Sequence, residues 1–244
     1  LETDSGVYAI KQLGPDADAA DPETVDHYNA AEAVAEAFAQ RGIAAIHALK
    51  RQKNYLQTID GAGYLVYPWT DAVALDRKNL SESHALRVAA VMAKMHRADI
   101  QVSGPEEISL SLHPEDNIIL LVERATACHA RDYQHLNEHL PELLAIAARQ
   151  EDARQILAQR KVISHGDLTQ ENVLWIADGE PIVIDWESAH RLNATHETLL
   201  VALEWSGITS AFDRVLFDKF LAAYREAGGV IESDYLQSAF DRIS

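Results

Sequence analysis

Residues 162–187 read VISHGDLTQENVLWIADGEPIVIDWE, and they hold the densest set of chemically capable side chains in the chain. VIS has the apolar, β-branched character of a short strand. VLWI and PIVID are two more apolar runs on either side of the turn ADGE, a pattern that predicts a hairpin with polar residues at both open ends. The loop HGDLTQEN lies between the first strand and that hairpin. Asp167 and Asn172 stand on the loop with four residues between them, and Asp185 ends the second hairpin strand. A hairpin returns the chain to its starting point, so the side chains of Asn172 and Asp185 are expected to approach one metal.

Phosphoryl transfer from ATP requires a carboxylate that orients or deprotonates the acceptor hydroxyl, oxygen ligands for magnesium, and a fixed cation on the phosphates. Asp167 suits the first role, and Asn172 with Asp185 the second. Taken singly, each is ordinary, because an Asp or Asn after a strand is commonly a cap or a turn residue. The reading rests on the joint pattern of loop, hairpin and terminal Asp.

Working outward, VYAIKQL (7–13) predicts a strand entered through the turn TDSG. The sequence opens at Leu1 without a methionine, and an upstream partner strand for that turn is expected to be missing. An acidic loop, GPDADAADPE, precedes a helix expected over 24–40 and stopped by Gly42. After the extended IAAIHAL, the runs NYLQTI and YLVYPW flank DGAG as a hairpin, ended by Pro68. Beyond Trp69 the pattern turns helical, first over 81–96 with Ser81 as N-cap, then over 116–160 with a break near Pro141. RVLFDKFLAAYREAGG and SDYLQSAFDRI predict further helices towards the end. Two lobes follow from this order, 1–70 and 71–244, in an α+β chain.

Composition narrows the ligand. With 38 Asp and Glu against 21 Lys and Arg, the net charge of -17 repels polyanions. Nucleic acid and anionic membranes are therefore poor partners, and a cationic small molecule is a good one. Cys128 is the sole cysteine, which excludes an intrachain disulfide and a Cys-based zinc site; it is expected to be a packing residue. No apolar run is long enough to span a membrane, and LETDSGVYAI is not a signal peptide, so a cytoplasmic location is expected. No motif speaks to the oligomeric state.

HGDLTQENVLW followed by IVIDWE resembles the aminoglycoside phosphotransferase and choline kinase family, which is similar in fold to protein kinases. The resemblance implies a small antiparallel-sheet lobe with one helix and a larger, mostly helical lobe. ATP and Mg2+ are the implied cofactors. It makes Lys11, in VYAIK, the phosphate-binding lysine, and Glu32, in AAEAVAEAF, its carboxylate partner, with Glu36 the alternative. Pro68, Trp69 and Thr70 fall in the segment that joins the lobes and binds adenine by its backbone; Trp69 is equally readable as packing. His165 is grouped with Asp167 as catalytic, its duty being to hold the loop while Gly166 lets it turn. Glu187 is read as a contact to substrate or metal, or as a cap. Glu197, in THETLL, falls near the point where the family has an Asp that supports the loop. Two further strands and a phosphate-covering loop, usual before the lysine strand, are absent from the residues given. The implied reaction moves the γ-phosphoryl group of ATP onto a hydroxyl of a small, amine-bearing molecule of aminoglycoside, choline or thiamine type. The alternative is a catalytically silent nucleotide-binding or scaffold protein with the same fold.

Overall fold

The computed structural model describes residues 1–15, 17–103, 115–177 and 179–243. Asp16 of the acidic loop and Asp178 of the ADGE turn lie outside the described residues. Four strands form the sheet of the small lobe, in the order β1-β2-β4-β3. They are β1 (Glu2–Thr3), β2 (Gly6–Gln12), β3 (Gln57–Ile59) and β4 (Ala62–Pro68). The turn at TDSG has its second strand in β1, where Thr3 sits opposite Gly6. Between β3 and β4 the chain reverses through Asp60 (φ 50°) and Gly61 (φ 82°); two positive φ values match the right-handed twist of the strands they join.

Helix α1 (Pro22–Gln40) starts two residues earlier than the sequence pattern suggests. Asp21 caps it by accepting the Thr24 N–H at 3.0 Å, and Pro22 is tolerated in a first turn that needs no N–H. Its buried face carries Val34, Ala35 and Phe38.

The larger lobe holds α2 (Glu82–Arg97), α3 (Glu115–Ala127), α4 (Tyr133–Glu138), α5 (Leu140–Leu157), α6 (Ala194–Trp205), α7 (Arg214–Glu226) and α8 (Ser233–Ile243). Ser81 is the N-cap of α2, as its sequence indicates. The break expected near Pro141 falls at His139, and Pro141 itself sits in the first turn of α5. Two antiparallel ladders are set among these helices. β6 (Lys161–Ser164) pairs with β9 (His190–Asn193), while β7 (Val173–Trp175) pairs with β8 (Ile182–Val183) and with the short β5 (Val73–Ala74). The hairpin expected from VLWI and PIVID is therefore present, with Val173 opposite Val183.

One apolar core spans both lobes. Phe38 of α1 stacks on Trp186, just after β8, with ring centroids 5.3 Å apart, and both side chains are fully buried. Full burial of a side chain of this size stabilises by roughly 1.5–3 kcal/mol, so α1 is held firmly against the turn that follows Asp185. The Ile46 N–H donates to the Val183 carbonyl at 3.0 Å, tying the small lobe to the same hairpin. A smaller cluster of Leu13, Tyr55, Leu56 and Leu65 fills the space under the four-stranded sheet. Cys128 is a correction: it is exposed just past the end of α3 and packs no core. Among the described residues no helix is long and apolar enough to cross a membrane.

Candidate active site

The loop 165–172 is fixed from several sides. Gly166 has φ +78°, and a Cβ there would stand 2.3 Å from the Ser188 carbonyl, so only glycine fits. Its N–H donates to Glu197 Oε1 at 2.8 Å. His165 is fully buried, with Nε2 2.9 Å from the Ile184 carbonyl. That carbonyl requires the proton on Nε2, which leaves Nδ1 to accept the Asp167 N–H at 3.2 Å. Burial pushes the imidazole towards its neutral form. With both nitrogens engaged, His165 ties the loop to the hairpin and has no proton to exchange with an acceptor.

Asn172 donates from Nδ2 to the Asp167 carbonyl at 2.8 Å and to Asp167 Oδ2 at 3.0 Å. Its amide oxygen is the group left for a cation. The Asn172 carbonyl accepts the Ile184 N–H at 3.0 Å, so the residue before Asp185 is clamped beside Asn172, as the hairpin argument anticipates. Asp185 lies in the left-handed region (φ 61°, ψ 67°), a conformation that Asp tolerates better than most residues. From there its Oδ1 takes the Lys11 Nζ at 2.8 Å, and Glu187 Oε2 takes the same ammonium at 2.7 Å. Burial alone works against the lysine charge; the two carboxylate bonds outweigh it and hold Lys11 above its ordinary range.

The expected Lys11–Glu32 pair is not formed. Glu32 is buried and accepts the Tyr67 hydroxyl at 2.6 Å and the Ala48 N–H at 2.5 Å. Burial pushes its carboxyl up, against the pull of these bonds. Glu36 is also engaged, with the Tyr55 hydroxyl and Lys50. Helical spacing places both glutamates on α1 correctly, but the hydroxyls of the facing segment reach them first. Glu187→Gln is therefore expected to raise the KM for ATP by up to about fivefold, the ~1 kcal/mol upper end for a partly exposed ion pair. Glu32→Gln can accept the Ala48 N–H with its amide oxygen and donate its NH2 to the Tyr67 oxygen, so it should leave KM unchanged. Steady-state kinetics on the two variants decides between the partners, and damage confined to Glu32→Gln would reverse the assignment.

Lys11 and Asp185 line a cleft of about 260 Å³. Ala9, Ile46, Leu174 and Ile184 give it apolar walls, and Tyr67, Pro68, Trp69 and Thr70 close its edge. The three joining residues read from the sequence thus share one cavity with the lysine and the terminal Asp. Trp69 is 57% exposed and donates from Nε1 to Asp71 Oδ1 at 3.1 Å, so it is a rim residue and not a packing one.

Beneath the loop lies Glu197, the residue the resemblance points to, held by partners that local sequence reading misses. Glu197 Oε2 meets His96 Nε2 at 2.5 Å, and His96 Nδ1 meets the Tyr224 hydroxyl at 2.7 Å, all buried. Trp205 Nε1 donates to the Leu168 carbonyl at 2.9 Å. Arg77 reaches Gln170 of the loop, together with Glu204. Burial would raise the Glu197 carboxyl, but its bonds to His96 and Gly166 outweigh that and hold it at about 2. Its folded value lies below the ordinary 4.5, so the carboxylate stabilises the fold above that pH and the contribution is lost as pH falls towards 2. Glu197→Ala leaves His96 without its partner and is expected to cost about 3–5 kcal/mol. A lowered urea midpoint at unchanged slope would register it; an unmoved midpoint would refute it.

A small antiparallel sheet with one helix, set over a helical lobe and joined through this cleft, defines the protein-kinase-like fold class. Residues 7–237 match the phosphotransferase enzyme family, and the chain belongs to that family. A spectinomycin phosphotransferase solved with ADP and spectinomycin superposes with a TM-score of 0.68 at 14% identity, covering 99% of this chain and 73% of that one. A choline kinase from Streptococcus pneumoniae gives 0.60 at 16% identity, over 95% and 72%. An amicoumacin kinase bound to AMP-PNP and Ca2+ gives 0.63 at 13% identity, over 97% and 72%. At these identities the likeness is one of fold. No curated protein matches the chain at a significant level.

Proposed function

We propose that this phosphotransferase moves the γ-phosphoryl group of ATP onto a hydroxyl of a small, amine-bearing molecule. The observation that carries the reading is the convergence of Asp167, Asn172, Asp185 and Lys11 through the Asn172–Asp167 bonds, the Asn172–Ile184 ladder contact and the Lys11–Asp185 pair. Residues 1–70 and 71–244 serve as the two lobes around the cleft. Pro68, Trp69 and Thr70 line the adenine end. Pro68 has no N–H and the Trp69 N–H is bonded to the Val7 carbonyl, so the carbonyls of this segment and the Thr70 N–H are the edges offered to the base.

The donor set suits magnesium, since the Asp185 carboxylate and the Asn172 amide oxygen are hard oxygen ligands and the one buried imidazole nearby is fully engaged. An ion held by these two residues would supply positive charge against the charge that develops on the phosphates. Asp167 is exposed and can meet an acceptor hydroxyl. Its carboxylate takes the hydroxyl proton as the hydroxyl oxygen bonds to the γ-phosphorus and the bond to the β-phosphate oxygen breaks, releasing ADP. Lys11 follows the phosphates. The charge of -17 favours a cationic acceptor.

The test is ATP consumption by the protein with magnesium, against aminoglycosides, choline, thiamine and simple sugars. Turnover stimulated by one amine-bearing compound, and absent from an Asp167→Ala control, is the expected result. Stimulation by a neutral sugar alone would overturn the amine preference. Failure to bind magnesium–ATP would sink the kinase reading in favour of a silent scaffold.

A further inference from the structure

Helix α4 is six residues long, yet its last turn extends into the residue beyond it, because the His139 N–H donates to the His135 carbonyl at 3.1 Å. This helical bond keeps His135, Glu138 and His139 on one face, at the i, i+3 and i+4 spacing that makes side chains neighbours. One ring nitrogen of each histidine and a carboxylate oxygen of Glu138 all lie within 4.8 Å of one another. The two imidazoles lie side by side with centroids 4.1 Å apart and planes inclined at 43°. Among the described residues no hydrogen bond engages any of the three side chains, and the His139 Nδ1 atom is buried with no hydrogen-bond partner. The residue as a whole is half-buried, and a ring nitrogen shielded from water in a folded protein ordinarily has a partner.

We propose that His135, Glu138 and His139 form a binding site for a divalent transition-metal ion, zinc before others, separate from the phosphoryl-transfer centre. Two imidazoles with one carboxylate make a borderline-soft set that suits zinc and leaves a fourth position for water. It is the wrong set for magnesium, which takes oxygen ligands. Ligand atoms about 2.0–2.2 Å from a tetrahedral zinc stand about 3.3–3.6 Å apart, so side-chain rotations on the helical turn must draw the three together from their present spacing of up to 4.8 Å. Asp185 and Asn172 offer only oxygens, so the two centres select different ions. The ion joins the last turn of α4 to the residue that opens α5, and α4 is already bonded to α3 by Asn137 Nδ2 to Thr126 Oγ1 at 2.5 Å. Zinc therefore fixes the α3–α4–α5 corner.

Full-length protein, free of any purification tag and stripped of metal, is titrated with zinc by calorimetry. Unfolding temperature is followed with and without the ion. One equivalent bound by the parent protein, with a raised unfolding temperature, is expected. His135 is exposed, so His135→Ala should fold normally, which circular dichroism checks, and it should weaken zinc binding at least tenfold and abolish the thermal shift. Asp185→Asn should retain the zinc equivalent. Absence of binding in the parent protein, undiminished binding in His135→Ala, or loss of the equivalent in Asp185→Asn would each overturn the site. The parent and His135→Ala readouts do not depend on phosphoryl transfer, so this test and that of the enzymatic reading fail separately.

Discussion

Asp167→Ala is expected to lower kcat for phosphoryl transfer by about 10²–10⁴-fold, the usual contribution of a positioned general base, while leaving magnesium–ATP binding little changed. The separation of the two effects follows from what holds the loop. Asn172 bonds to the Asp167 backbone carbonyl at 2.8 Å as well as to its carboxylate, and only the second bond is lost in the variant. The neighbouring anchors are made by other residues: His165 to the Ile184 carbonyl, the Gly166 N–H to Glu197, and the Leu168 carbonyl to Trp205. Lys11 and Asp185, the residues proposed to meet the nucleotide and its metal, are untouched. Steady-state kinetics with the stimulating acceptor, paired with nucleotide-binding isotherms, measures both quantities. Retained turnover would show that Asp167 is not the base, and an equal loss of binding would show that its side chain organises the cleft.

Much of this arrangement was legible because its informative residues are close in sequence. Loop, hairpin and terminal Asp occupy the 21 residues 165–185, and two apolar runs about a turn with polar ends are enough to predict that Asn172 lies beside the end of the returning strand, where its carbonyl accepts the Ile184 N–H. The helices and the hairpin at Asp60–Gly61 were readable for the same reason, since caps and turn residues act locally. Contacts made across the fold were not. Lys11 finds Asp185 and Glu187 from 174 and 176 residues away, and no periodicity encodes that choice over Glu32. The Tyr67 hydroxyl decides the fate of Glu32, and its strand alternation reveals only which face it occupies. His96 and Tyr224 likewise carry no local mark of the pairing that supports Glu197. Cys128 shows the opposite error, in which a residue type that is usually buried lies exposed at a helix end.

Asp185→Asn should fail at an earlier step than Asp167→Ala, losing magnesium-dependent nucleotide binding and not chemistry alone. Asparagine is the informative replacement, because Asp185 has φ 61° and Asn accepts the left-handed region as readily, whereas alanine would add backbone strain to the loss of charge. What the substitution removes is the negative charge of the proposed metal ligand, which is also one of the two carboxylate partners of the Lys11 ammonium. Losing a mere outer-shell partner of a metal typically costs 10–100-fold in affinity, so loss of a direct carboxylate ligand is expected to exceed about 100-fold. Of the two carboxylates on the Lys11 ammonium, only Glu187 then remains. Magnesium titrations of nucleotide binding by calorimetry measure the effect, with binding in EDTA as the reference. If the parent protein and Asp185→Asn bind magnesium–ATP equally, Asp185 does not ligate the ion, and the Lys11 pair is then its whole role.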